Sequence, residues 1–157
     1  MTDDESALLK AYSLLTMKPI IYVVNVNEAS ESLMTNWDGE VVTLNIKQEE
    51  EIAGLPIEEQ QEFIDELGLE ESGLSKLIKA SYKLLKLDTF LTTGPEESRA
   101  WTIPHGAKAP QAAGVIHTDF EKGFIRVEVI NYEDFIELGS EAAAREAGKL
   151  RTEGKDY

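Results

Sequence analysis

The sequence predicts two successive mixed units, an α/β segment over residues 1–87 and a compact α+β domain over residues 88–157. Three observations carry this prediction. Two β-branched runs without polar alternation, at 20–26 and 41–46, have the signature of strands covered on both faces, as in a parallel sheet. Amphipathic helical patterns then occupy 58–67 and 73–87. From Asp88 onward, short strands and turns replace the longer periods.

Taken in order, residues 6–16 place Leu8, Leu9, Tyr12 and Leu15 at helical spacing, with Ser6 as a cap and Pro19 as a stop, which predicts an incoming helix. The run 20–26 follows as a central strand. Residues 29–37 are long enough for a short crossover helix before the run 41–46, so the two runs predict a βαβ unit. Beyond Gly54 and Pro56, residues 58–67 carry Phe63, Ile64 and Leu67 on one side and end at Gly68. Ser72 is placed to cap the helix 73–87, where Leu74, Leu77, Ile78, Tyr82 and Leu85 repeat at three and four residues. Lys76, Lys79, Lys83 and Lys86 line its other side, read as a solvated face that suits the helix C-terminal half.

In the second unit, strands are predicted at 89–93 and 99–103, joined by a turn at Gly94-Pro95, with a further turn at Pro104-His105-Gly106. A small-residue helix fits 109–117, a strand 124–130, either element 132–138, and an alanine-rich helix 141–150. Strand, strand, helix, strand and helix within this length predict one mixed sheet packed on a helix, and a β-grasp fold fits that order. The final Tyr157 reads as the start of another strand, so the chain is expected to stop before its fold does.

Composition narrows the function classes. The 157 residues are long enough for a real core, and no apolar run approaches the roughly 20 residues needed to cross a bilayer. Thr2, Asp3, Asp4 and Glu5 carry the wrong charge for a signal peptide, and the cytoplasm is the expected compartment. With no cysteine and only 2 histidines, disulfides, thiol chemistry and multi-ligand zinc sites drop out. The net charge of −15 is spread over both units, with 17 acidic against 7 basic residues in 1–87 and 13 against 8 in 88–157. Neither has the usual electrostatic footprint for nucleic acid, so DNA is not an expected partner and any RNA contact must use a local patch. Lys108, Lys122 and Arg126 are the cluster selected for RNA or partner contact. No set of nucleophile, base and oxyanion donor emerges, so no catalytic residue is assigned.

Asn25-Val26-Asn27-Glu28 lies at the C-terminal end of the first buried run, where open α/β sheets bind ligands in the crevice outside their strand ends. In GTPases the corresponding motif is NKxD, whose Asp accepts two hydrogen bonds from guanine. Here the acid is Glu28, one methylene longer, which predicts that strict guanine selection fails. Asn and Glu are also ordinary turn residues after a strand. His117 and His105 read as residues satisfying local backbone and turn groups rather than as catalysts, and Trp101, Phe120, Phe124 and Phe135 as core rather than a base-stacking platform.

The longest signal is Arg99-Ala100-Trp101-Thr102-Ile103 followed by GAKAPQAAGVIHTDFEKGFIR at 106–126, which resembles the TGS domain of the YchF or Obg-like ATPases almost letter for letter. The run from Lys18 to Glu28 resembles the base-specificity strand of that family, with NxxE in place of NKxD. Glu70-Glu71-Ser72-Gly73-Leu74 and Thr89-Phe90-Leu91-Thr92-Thr93-Gly94 follow in the same order. The resemblance implies the C-terminal part of a ribosome-associated, ATP-preferring P-loop NTPase. Residues 1–87 would then be the end of a coiled-coil helix plus the last part of the nucleotide-binding (G) domain, and 88–157 a TGS domain lacking its last strand. Asn25, Val26, Asn27 and Glu28 would serve the adenine, while Leu44, Asn45 and Ile46 would match the last base-lining loop but depart from its Ser-Ala pattern.

The resemblance further implies a protein that hydrolyses ATP, GTP more weakly, uses Mg, and meets the ribosome or its RNA during translation. No GxxxxGK[ST] loop or DxxG segment occurs in this chain. The chain alone is therefore expected neither to hydrolyse ATP nor to bind it tightly. The alternative is a stand-alone TGS module that binds RNA, ribosome or protein without any nucleotide function.

Overall fold

The computed structural model describes residues 2–27, 37–94 and 96–157. The chain divides into two compact units, Met1–Lys86 and Leu87–Tyr157.

The first unit opens with a short helix, α1 (Asp3–Leu9), and two 3-10 turns at Lys10–Tyr12 and Leu15–Met17. The continuous helix expected over 6–16 is thus broken. Ser13 takes the left-handed conformation at φ 51°, and Leu8, Tyr12 and Leu15 are all at least 74% exposed. A helix this short draws its stability from a packed apolar face, and these side chains have no such cover.

Strands β1 (Ile21–Asn25) and β2 (Glu40–Leu44) pair in parallel, Ile21 opposite Glu40 through Asn25 opposite Leu44. Of the crossover helix expected at 29–37, residues 29–36 lie outside the described residues, and the ring of Trp37 lies 4.8 Å from that of Tyr22. The expectation of two covered faces is corrected. Val42 is buried, but Val23 is 49% exposed. Among the described residues, α4 (Gly73–Leu84) is the helix that packs on both strands.

Between strand and helix come α2 (Ile46–Ala53) and α3 (Ile57–Glu66). The sequence reading took 41–46 as strand and missed α2, because Leu44 ends the ladder and Asn45 caps a helix instead. Val26, Val42, Ile52, Ile64 and Ala80 form the buried core of this unit. The lysine face of α4 is partly paired: Lys79 reaches Glu71 at 2.6 Å and Lys83 reaches Glu40 at 3.4 Å. These four side chains flank a groove of about 400 Å³ between α4 and β2.

Helix α4 ends at Leu84, and Lys86, left-handed at φ 53°, turns the chain. In the second unit, β3 (Leu87–Thr93) and β4 (Ser98–Pro104) form an antiparallel hairpin with Thr93 opposite Ser98. Gly94 donates its N–H to the Glu97 carbonyl in the connecting turn at 2.9 Å, while Pro95 lies outside the described residues.

Helices α5 (Ala109–Ile116) and α6 (Thr118–Lys122) precede β5 (Val127–Val129); α7 (Tyr132–Leu138) and α8 (Glu141–Glu146) precede β6 (Arg151–Glu153). The ambiguous stretch 132–138 is helical, capped by Asn131, whose side chain accepts from the Glu133 N–H. The expected 141–150 helix is cut short, since Gly148 at φ 69° leads the chain out into β6. The single mixed sheet expected here is also corrected. β3 and β4 form one ladder, and β5 and β6 a separate antiparallel one. The second ladder has three residues in each strand, against seven in the hairpin. Phe124 and Ala144 are the buried apolar residues of this unit.

Candidate functional site

The loop that leaves β1 is fixed to the β2–α2 turn at three points. The Val26 N–H donates to the Leu44 carbonyl at 2.9 Å, extending the parallel ladder by one bond. The Asn25 side-chain oxygen accepts the Ile46 N–H at 3.1 Å. The Asn45 side-chain amide donates to the Asn27 carbonyl at 2.7 Å. Val26 is buried at 5% exposure, while Asn25 and Asn27 stand in solvent on either side of it. Residues 25–27 of the first stretch that the resemblance assigns to the base and residues 44–46 of the second are therefore hydrogen-bonded neighbours at the C-terminal ends of two parallel strands. That is where α/β sheets present their ligand crevice. Glu28 lies outside the described residues.

Asn45, which the resemblance puts in the last base-lining loop, has a second role that the sequence reading did not give it. Its Oδ1 accepts from the N–H groups of Lys47 at 3.0 Å and Gln48 at 3.2 Å, which caps α2. The signal was present: an Asn followed three residues later by Gln is a capping-box spacing, and it argues for a helix start inside the run assigned to a strand.

Below this turn, α2 and α4 are joined by one carboxylate. Glu49 accepts from the Gly73 N–H at 2.7 Å and the Leu74 N–H at 3.0 Å, satisfying two donors at the start of α4. Ser72 accepts from the Ser75 N–H in the same turn at 3.1 Å. The approach requires glycine, because a Cβ on Gly73 would lie 2.5 Å from the Leu44 Cβ.

In the second unit the three selected cations are not alike. Lys108, the residue before α5, pairs with Asp156 at 3.0 Å. Lys122 ends α6 and Arg126 stands just before β5. His117 behaves differently from the helix-terminal residue expected to satisfy carbonyls. Its Nδ1 accepts the Asp119 N–H at 3.2 Å and so caps the start of α6. His105 bonds Asp88 at 2.9 Å. The aromatic residues occupy different settings. Phe124 is core, Phe120 is 54% exposed beside His117, and Trp101 donates to Thr92 at 2.9 Å while the Arg99 guanidinium stacks over its ring at 4.3 Å.

The described residues thus form an α/β unit with a loop sewn to its strand ends and a separate α+β unit. The family model YchF-GTPase_C, described as "Protein of unknown function (DUF933)", matches residues 87–157. The chain is 50% identical over 167 aligned residues to "Ribosome-binding ATPase YchF" of Escherichia coli O157:H7, covering 100% of this chain and 46% of that protein. It is 48% identical to the protein of the same name from Bacillus subtilis (strain 168), over 99% of this chain and 46% of that one. With "Obg-like ATPase 1" of Gallus gallus the identity is 44%, over 99% and 42%. Among solved structures, "Structure of the Schizosaccharomyces pombe YchF GTPase" superposes with a TM-score of 0.77 at 36% identity, over 100% of this chain and 45% of that one. The chain thus matches the C-terminal portion of the YchF/Obg-like ATPase family along its whole length, and it spans about half the length of the curated relatives.

Proposed function

We propose that this chain supplies base recognition and a TGS-type binding module to a ribosome-associated, ATP-preferring P-loop NTPase of the cytoplasm. The observation that carries the reading is 50% identity along the whole chain to a protein named as a ribosome-binding ATPase. In this reading Asn25, Val26, Asn27 and Glu28 face the adenine, and residues 87–157 form a TGS-type module that meets the ribosome through Lys108, Lys122 and Arg126. ATP, with GTP as a weaker substrate, and Mg act where a phosphate-binding loop is also present. The sequence of this chain holds no GxxxxGK[ST] loop, so the phosphate chemistry is assigned to other residues.

Two measurements test this. In a protein that joins this chain to a phosphate-binding loop, Glu28→Asp shifts preference toward GTP; unchanged selectivity removes Glu28 from the specificity role. In cosedimentation with ribosomes, reversing charge at Lys108, Lys122 and Arg126 weakens binding. Three phosphate contacts give a slope of about −2 to −3 in log affinity against log salt. A slope near zero with intact binding favours the second reading, a module that docks on protein and has no nucleotide function.

A further inference from the structure

We propose that Asn45 is the positioning residue of the base-facing loop, holding the Asn27 carbonyl and the start of α2 in one fixed geometry. The inference rests on the adenine reading above and concerns how that loop is kept in shape.

The orientation of the Asn45 amide is determined by its partners. Two backbone N–H groups, of Lys47 and Gln48, converge on one of its terminal atoms, which must therefore be the oxygen. The nitrogen is then directed at the Asn27 carbonyl 2.7 Å away, 18 residues earlier in the chain. A helix cap needs only the first half of this arrangement, and Ser or Asp provides it about as well. The second half needs a donor on the same short side chain, which Asn has and ionised Asp lacks. Together with Val26 to Leu44 and Ile46 to Asn25, the bond makes three consecutive cross-links between the two segments. Asn27 is solvent-exposed, and the Asn45 amide ties its carbonyl to the start of α2. Asn45 is half-buried and bonds the loop at the Asn27 carbonyl, so the role proposed for it is to position Asn27.

The test uses the full chain as wild type, N45D and N45S, titrated with adenosine and followed by amide NMR at Val26, Asn27 and the Asn25 side chain. Amide exchange at Lys47 and Gln48 reads the cap separately. Wild type is expected to show saturable shifts in the millimolar range. N45D and N45S are expected to bind about fivefold more weakly, the ratio for one lost hydrogen bond of about 1 kcal/mol, with exchange at Lys47 and Gln48 unchanged. If both variants bind adenosine like wild type, the positioning inference is overturned and the adenine reading stands. If wild type shows no adenosine response at these amides, the adenine reading fails and the inference fails with it. Faster exchange at Lys47 and Gln48 in step with the lost binding also overturns it, since a damaged cap then accounts for the effect.

Discussion

Replacing Gly73 with alanine is the most direct test of how the first unit is assembled. On propensity alone the change should help, because alanine in a helix is favoured over glycine by about 1 kcal/mol. The local packing opposes it. The added methyl would sit 2.5 Å from the Leu44 Cβ and 2.9 Å from the Glu49 Oε1. Leu44 cannot step aside, since its backbone is paired with Asn25 and accepts the Val26 N–H at 2.9 Å. Glu49 is equally committed, with both carboxylate oxygens bonded at the start of α4. Forcing a methyl into packed surroundings typically costs 1–3 kcal/mol, and a contact this close belongs at the upper end. The net loss is then about 1–2 kcal/mol, or a fall in Tm of roughly 5–15 °C for a unit of this size. Gly54→Ala is the matched control. Gly54 has φ −77°, and its added Cβ meets neighbours only at 3.5 Å, so it should melt no lower than wild type. Scanning calorimetry on the three proteins, with amide exchange along α4 and β2 to locate the effect, decides the matter. A Gly73→Ala protein as stable as the Gly54→Ala control would refute the argument from close approach.

Glu49→Ala removes two hydrogen bonds to the first turn of α4, and a loss of about 1–2 kcal/mol is expected in urea unfolding, larger than for Ser72→Ala at about 1 kcal/mol. Phe124→Ala should destabilise the second unit by about 3–5 kcal/mol, visible as loss of dispersed amide signals from residues 87–157, because this ring is 8% exposed in a small core. By contrast, Lys108→Ala is expected to change unfolding free energy by less than about 1 kcal/mol, since its partner Asp156 is 99% exposed; a larger change would mean the pair is structural.

Legibility in the sequence followed the strength of the local pattern. β1 and β2 were recoverable from dense β-branched runs, and α4 from its three-and-four spacing behind a serine cap. α2 was not, because Ile46–Ala53 has just two large apolar residues, Ile46 and Ile52, and Ile46 adjoins a strand run that absorbed it. The reverse error occurred at 6–16, where periodic leucines suggested one helix although no described neighbour covers them. The coverage of β1 and the pairing of β3 through β6 were overestimated for a related reason. Period reports which face of an element is apolar, but not how many partners reach it. At the site, Asn25 and Asn27 were singled out from their position after a strand, whereas Asn45 entered through the resemblance alone and its cap was lost with α2. The three cross-links join residues 18 to 21 apart, a relation no local window displays.

The three separate two-stranded ladders have a colloidal consequence. Among the described residues each ladder leaves both outer edges without a strand neighbour, and such edges are templates for pairing with another copy. Electrostatic repulsion from a net charge of −15 opposes that encounter. The protection fades as pH approaches the isoelectric point near 4.5 and as salt shortens the screening length. The surface carboxylates therefore oppose edge-to-edge pairing most strongly at neutral pH and low ionic strength.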